Sequence, residues 1–407
     1  MWGRRSRDTG SRADPAGPRP LAGSRTPYDT EAVRPATVTA AAVTTILGVG
    51  AAAVAAGRYA SDAALRAPSG RPLPADRRLT VHATAAGQVT LTRSFTALRP
   101  GMYGLVGKDV HAVVGPVIEH AHHAPDTVVR RLVRVDRGIL ETGAKVRVTP
   151  QLHSGDPSSA LGLDHREVEI PGELGALPAW FLPGPRDTWV ITVHGLGTTR
   201  EHPMNVMRFL HDLRLPVLDL AYRGDAGAPR SPDGLAHLGE SEWRDLDAAI
   251  RFAVRYGATK VVLHGWSTGA SMALHAAVNS ALRDRISGLV LDSPVLDWAA
   301  TLRALAVARG VPAALLPLAV RAAEGQTGLH GARLLDGSLA SALHVPTLIF
   351  HGPDDRLAPW QPSRDLAAAR PDLIALHPVP QAPHAAMWNA DPAHYEETLR
   401  RFLTPLM

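Results

Sequence analysis

Cysteine is absent from the 407 residues, lysine occurs only at Lys108, Lys145 and Lys260, and Phe, Trp and Tyr together make up 5% of the chain. Without cysteine there is no disulfide, no thiol nucleophile and no cysteine-held zinc. The compartment stays open, because exported and cytosolic proteins both occur without cysteine. With so little lysine, the net charge of +5 rests on arginine, and the sequence pI is about 9.8. The arginines are dispersed among acids and form no run interleaved with aromatics, which argues against a nucleic-acid partner. Apolar residues are plentiful at 45%, enough for one large α/β domain and an accessory region to bury a core without covalent staples.

Residues 1–35 are rich in Arg, Pro, Gly, Ser and Thr, a composition expected to stay disordered. Residues 36–57 carry no charge, are bracketed by Arg34 and Arg58, and are about the length of a bilayer-spanning helix. We expect a single-pass transmembrane anchor with the part of the chain that follows it outside the cytoplasm. A cleaved signal peptide, with small residues near Ala56, is one alternative; a soluble alanine-rich helix, disfavoured by Gly48, Gly50 and the β-branched residues, is the other.

Residues 58–161 read as a linker followed by a small β-rich accessory region. Its β-branched runs lie at Leu79–Val81, Val89–Thr92, His111–Val114 and Val128–Val135, separated by Gly, Pro or Asp. His120, His122 and His123 cluster here without a carboxylate at ligand spacing, so a solvated loop is expected rather than a metal site.

From residue 162 to the end, apolar strands alternate with helical patterns, the mark of a mostly parallel sheet flanked by helices. The expected strands are Glu167–Ile170, Ala176–Leu182, Trp189–Val193, Pro216–Leu220, Lys260–His264, Gly288–Leu291, Thr347–Phe350 and Leu373–His377. Between Trp298 and His344, two amphipathic stretches (Thr301–Ala308 and 312–323) read as a short helical cap over about residues 299–345, and Leu315, Leu316, Leu318 and Val320 could line an apolar pocket or pack on the sheet.

The strand Lys260–His264 runs into Gly265-Trp266-Ser267-Thr268-Gly269 and then a small-residue helix. This G-x-S-x-G turn lifts a serine hydroxyl above the sheet and points a helix N-terminus at it. His194-Gly195-Leu196-Gly197 follows another strand, and glycines there let main-chain N–H groups face a bound oxyanion. His351-Gly352-Pro353-Asp354-Asp355 follows a third, and Pro383-His384-Ala385 lies in a loop after the last, giving the chain order serine, acid, histidine. His194, His264 and His351, at strand ends, read as packing or turn residues.

With these motifs in hand the sequence resembles the alpha/beta-hydrolase superfamily over roughly residues 162–407. Within it, the chain is most similar to prolyl-oligopeptidase-like and dienelactone-hydrolase-like serine hydrolases, and it also resembles membrane-anchored actinobacterial hydrolases. Ala221-Tyr222-Arg223-Gly224-Asp225 resembles the family's turn after its fourth strand. The resemblance implies Ser267 as nucleophile, His384 as base and Asp355, from H-G-x-x-D, as acid, with Asp354 and Asp292 as the other acid positions. It implies the backbone N–H groups of Leu196 and Thr268 as oxyanion donors, and no metal or organic cofactor. The expected function is hydrolysis of an ester, thioester or peptide bond in a small-molecule or peptide acyl substrate. The alternative is a non-catalytic binding protein or scaffold on the same fold.

Overall fold

The computed structural model describes residues 51–66, 78–121, 124–327 and 338–407. The expected N-terminal tail, residues 36–50 of the expected anchor, His122 and His123 lie outside them. The chain enters through helix α1 (residues 51–65). Six strands follow: β1 (Leu79–Ala85), β2 (Gln88–Thr92), β3 (Tyr103–Val106), β4 (His111–Val117), β5 (Thr127–Arg137) and β6 (Lys145–Thr149). They close into an antiparallel barrel in the order β1-β2-β5-β4-β3-β6. Val81, Leu91, Leu105, Ala112, Val128 and Val146 alternate inward to fill it, and closure leaves no open sheet edge. β3 and β6 carry no strong strand signal: β3 is four residues with a glycine inside, and β6 alternates with Lys145 and Arg147.

After α2 (Pro157–Leu161) come β7 (Arg166–Pro171), β8 (Ala176–Leu182), β9 (Thr188–Val193), α3 (Met204–Asp212), β10 (Val217–Leu220), α4 (Trp243–Arg255), β11 (Lys260–Trp266), α5 (Thr268–Asn279) and β12 (Ile286–Asp292). The cap helices α6 (Trp298–Ala308), α7 (Leu316–Thr327) and α8 (Ser338–Ala342) lead to β13 (Thr347–His351), α9 (Trp360–Ala369), β14 (Ile374–Pro378), α10 (Met387–Ala390) and α11 (Pro392–Leu403). All eight strands expected in this half form one sheet, ordered β14-β13-β12-β11-β9-β10-β8-β7. β9 to β14 run parallel where they pair, and β8 is antiparallel to both its neighbours. β9 is buried at every position because helices cover both faces. One core includes Leu246 and Ile250 of α4 and Met272 of α5; the other includes Met207 and Leu210 of α3 and Leu399 of α11.

Two contacts tie the remaining parts to this sheet. Asn389, fully buried in α10, donates from Nδ2 to the carbonyls of Met102 (3.0 Å) and Pro150 (2.8 Å), and its own carbonyl accepts the Met102 N–H at 2.8 Å. That stitches the barrel to the segment carrying His384. Ala386 sits in the barrel's core while Ala385 and Met387 sit in the sheet's, so this short loop bridges the two.

At the N-terminal end, Ala60, Ala64 and Leu65 fall on one face of α1 and are buried against Trp298, Leu302 and Val320 of the cap. Arg309 donates to the carbonyls of Ala63 and Ala64, and Gln326 donates to Asp62 at 3.1 Å. The end of the expected anchor thus falls in α1: its residues 51–57 are helical, and Gly57 abuts the Leu318 carbonyl. Residues 58–65, expected as linker, continue the helix, because the cap offers their small apolar face a partner. Among the described residues no helix is long and apolar enough to cross a membrane.

Candidate active site

β11 delivers Ser267 at the centre of the sheet with φ 52° and ψ −115°. A non-glycine residue there stores roughly 1–3 kcal/mol of backbone strain, and the surroundings hold it. The Ser267 N–H donates to Asp292 O at 2.8 Å, and its carbonyl accepts the N–H groups of Ala270 and Ser271 to start α5. Crowding dictates the flanking glycines. A Cβ on Gly269 would lie 2.2 Å from Val193 O, and one on Gly195 would lie 2.7 Å from Ser267 Cβ. The His194–Leu196 turn is therefore pressed directly against the serine. His194 fixes that turn from behind: its ring stacks on Tyr222 at 4.7 Å, Nε2 is 2.7 Å from Asp225 Oδ2, and Nδ1 is 2.9 Å from Gly195 O.

His384 Nε2 lies 2.6 Å from Ser267 Oγ, and its Nδ1 lies 2.7 Å from Asp355 Oδ2. With Nδ1–H donating its hydrogen bond to the carboxylate, Nε2 is left to accept the serine O–H. Asp355 is oriented by the N–H groups of Leu357 (2.8 Å) and Ala358 (3.0 Å) on Oδ1, and His351 Nε2 stands 3.3 Å from Oδ2. Burial alone would push this carboxyl up; His384 and His351 outweigh it and hold it well below the usual carboxylate range. Asp354 does not join: it is exposed, and its Oδ2 accepts the Gln381 N–H at 3.1 Å.

Asp292, the other acid position, is fully buried nearby. Its Oδ1 accepts the Ser293 hydroxyl at 3.0 Å and its Oδ2 has no hydrogen-bond partner. Burial pushes it up to about 7. Ser293 Oγ in turn accepts the N–H of Ala385, which sits at φ 54°. This Asp292–Ser293 brace, which shapes the loop after His384, has no sequence signal beyond its place after β12. His202 is a second supporting residue the motifs do not announce. It is buried against Trp266 with ring centroids 5.4 Å apart, and burial keeps it neutral, down to about 3. His264 is buried as expected, with Nε2 3.0 Å from the Tyr395 hydroxyl, and His120 is exposed.

Burial lowers the pKa of His384, but the charge and hydrogen bond of Asp355 and the charge of Asp292 raise it further, so the net shift is upward from 6.5. A protonated imidazole cannot take the serine proton. Any Ser267-dependent hydrolysis should therefore fall as pH drops, with the midpoint of the kcat/KM acid limb above 6.5. A midpoint below that value in a pH–rate profile would contradict the arrangement.

Leu196 and Thr268 both line a cavity of about 700 Å³, with Leu65 and Arg66 of the N-terminal segment and Tyr222 also in its wall. Thr268 is the first residue of α5, so its N–H has no acceptor within the helix. None of Leu315, Leu316, Leu318 and Val320 lines this cavity. The cap presses Val320 into its own core with α1 instead.

Residues 190–406 match the family described as "Alpha/beta hydrolase family". This chain belongs to that family. As an alpha/beta hydrolase it is a hydrolase acting on a small-molecule substrate. Residues 80–149, the barrel, match a domain of unknown function (DUF8805). The chain is 24% identical over 241 residues to the uncharacterized protein YfhR of Escherichia coli O157:H7, covering 58% of this chain and 76% of that one. It is 26% identical over 229 residues to human Protein ABHD12B, covering 52% and 59% respectively. Among solved structures, the Pyrococcus furiosus esterase Pf2001 has the same fold with a TM-score of 0.51 at 19% identity, over 62% of this chain and 96% of that one.

Proposed function

We propose that this hydrolase cleaves an ester, thioester or amide bond through Ser267, His384 and Asp355. The observation that carries the reading is the continuous hydrogen-bonded relay from Ser267 Oγ through His384 to Asp355. In the first step Ser267 Oγ attacks the acyl carbon while its proton passes to His384 Nε2. Asp355 keeps the imidazole in the required tautomer and stabilises the imidazolium. The N–H groups of Leu196 and Thr268 receive the oxyanion, each contributing about 3–4 kcal/mol in comparable sites. Collapse of the tetrahedral species returns the proton to the leaving group and leaves an acyl-enzyme. Water, activated by the same histidine, then releases the acid and restores the serine.

We assign the chain to the prolyl-oligopeptidase-like serine hydrolases. A barrel of six short strands, rather than a long repeat array, stands before the hydrolase half, which favours small acyl substrates over peptides. A fluorophosphonate probe tests the chemistry. Ser267 should be the labelled residue, found by mass spectrometry, and labelling should fall with pH along the same acid limb. An unlabelled folded protein would mark a non-catalytic scaffold.

For the N-terminal run we propose a membrane anchor over residues 36–57, with the hydrolase part extracytoplasmic. The uncharged length and the flanking arginines support it. The full chain should stay with membranes after alkaline carbonate washing, and its release into the supernatant would refute the anchor.

A further inference from the structure

We propose that His351 and Ser363 are a positioning pair behind the acid, setting both the aim of Asp355 and the proton affinity of His384. This rests on the Ser267–His384–Asp355 reading and deepens it. Asp355 Oδ2 faces two imidazoles, His384 Nδ1 at 2.7 Å and His351 Nε2 at 3.3 Å. The far nitrogen of each ring meets a serine hydroxyl: His384 Nε2 is 2.6 Å from Ser267 Oγ, and His351 Nδ1 is 2.8 Å from Ser363 Oγ. The acid thus stands between two serine–histidine pairs. One reaches the reacting side. The other, from the end of β13 and the first turn of α9, is sealed inside the protein: His351 and Ser363 are both 0% exposed. Neither lines the cavity of about 700 Å³ or the smaller one of about 100 Å³ beside His384. They cannot touch substrate, so they act through Asp355.

The surroundings fix which nitrogen of the neutral His351 ring carries the proton. Nε2 faces two acceptors, Asp355 Oδ2 and the Ala358 carbonyl at 3.2 Å. A lone pair there would be repelled by both, so the proton sits on Nε2 and Nδ1 must accept. The hydroxyl at Nδ1 is that of Ser363, which then donates. Ser363 therefore selects the tautomer that lets His351 serve the acid, as Asp355 selects the tautomer of His384. The ring is also held by packing. Trp360 stands edge-on to it at 5.7 Å, and a Cβ on the adjacent Gly352 would lie 2.9 Å from the Ala382 carbonyl, in the segment leading to His384.

The second imidazole has two consequences for the chemistry. Two ring N–H groups on Oδ2, with the Leu357 and Ala358 N–H groups on Oδ1, leave the carboxylate a single orientation. The His351 N–H also draws negative charge from Oδ2 and so weakens the carboxylate's hold on the His384 proton. Without it, His384 binds its proton more tightly and the acid limb moves to higher pH. The other titratable groups that act on or are acted on by His384 are Asp292 of β12 and His202, and both are kept in the test.

The test removes both partners together in the full chain, His351→Leu with Ser363→Ala, so that neither side chain leaves the other unpaired. With p-nitrophenyl butyrate over a range of pH, kcat should fall about tenfold or more, KM should stay within about threefold, and the acid limb should move up by about 0.3 pH unit or more. Ser363→Ala alone deletes one oxygen and should give a smaller change of the same kind, with kcat down about threefold; it carries the test if the double variant does not fold. A second arm needs no turnover. In Ser267→Ala protein, the titration of His384 is followed by carbon-13 NMR of labelled imidazoles and assigned with His384→Gln. Removing the pair should move that titration to higher pH as well. An acid limb and a His384 titration that both stay in place would overturn the proposal even if kcat fell, because a merely structural loss leaves them unmoved. Failure of fluorophosphonate labelling in the parent would overturn the hydrolase reading instead, and the NMR arm keeps the two failures apart.

Discussion

Replacing Ser267 by alanine should lower kcat for p-nitrophenyl esters by at least about 10⁴-fold, the scale seen when one member of an interdependent catalytic set is removed. The substitution takes away the proposed nucleophile: Oγ is the group 2.6 Å from His384 Nε2. It should leave the fold intact. The backbone of residue 267 stays pinned by its N–H to Asp292 O and by the two α5 amides on its carbonyl, none of which involves the side chain. The unfolding midpoint should accordingly stay close to that of the parent. Turnover above a tenth of the parental rate in a folded Ser267→Ala protein would show that another residue does the chemistry.

The second large effect separates the two buried carboxylates near His384. Asp355→Asn should reduce kcat about 10⁴-fold, whereas Asp292→Asn should cost less than about tenfold. An amide at 355 can present N–H to the imidazole and favour the tautomer that carries its proton on Nε2, where it can no longer accept the serine proton. It also removes the charge that stabilises the imidazolium. At 292 the situation differs. Oδ1 accepts the Ser293 hydroxyl, a bond an asparagine oxygen preserves, and a carboxyl pushed up to about 7 by burial is only partly charged at neutral pH. Circular dichroism on both variants guards against misfolding. The reverse ranking would make Asp292 the acid.

The hydrolase half is largely readable from its residues because its strands are buried on both faces, and such strands are near-continuous apolar runs. β9 and β11 are clear cases. The serine turn is readable for a related reason: crowding at Gly269 leaves room for no side chain, so the constraint is written into residue type. What escapes is set by partners distant in sequence. Nothing local tells that β3 and β6 pair to close a barrel, nor that Asn389 reaches across to Met102 and Pro150. Asp292 and Ser293 look like strand-end residues until Ala385 is placed above them. Residues 58–65 carry no signal of their own for the helix they form; their partner, the cap, lies more than 200 residues on.

That packing has a practical consequence. A polypeptide trimmed to begin at β1 would retain the sheet, the barrel and the Ser267–His384 relay, yet its cap would lose Ala60, Ala64 and Leu65 as cover for Trp298, Leu302 and Val320. Leu65 also walls the larger cavity, so the same cut would widen its mouth toward solvent. A bared apolar patch of this kind drives self-association: the shortened protein would come off a sizing column as oligomers, and its aggregation would be a property of the missing helix rather than of the catalytic half.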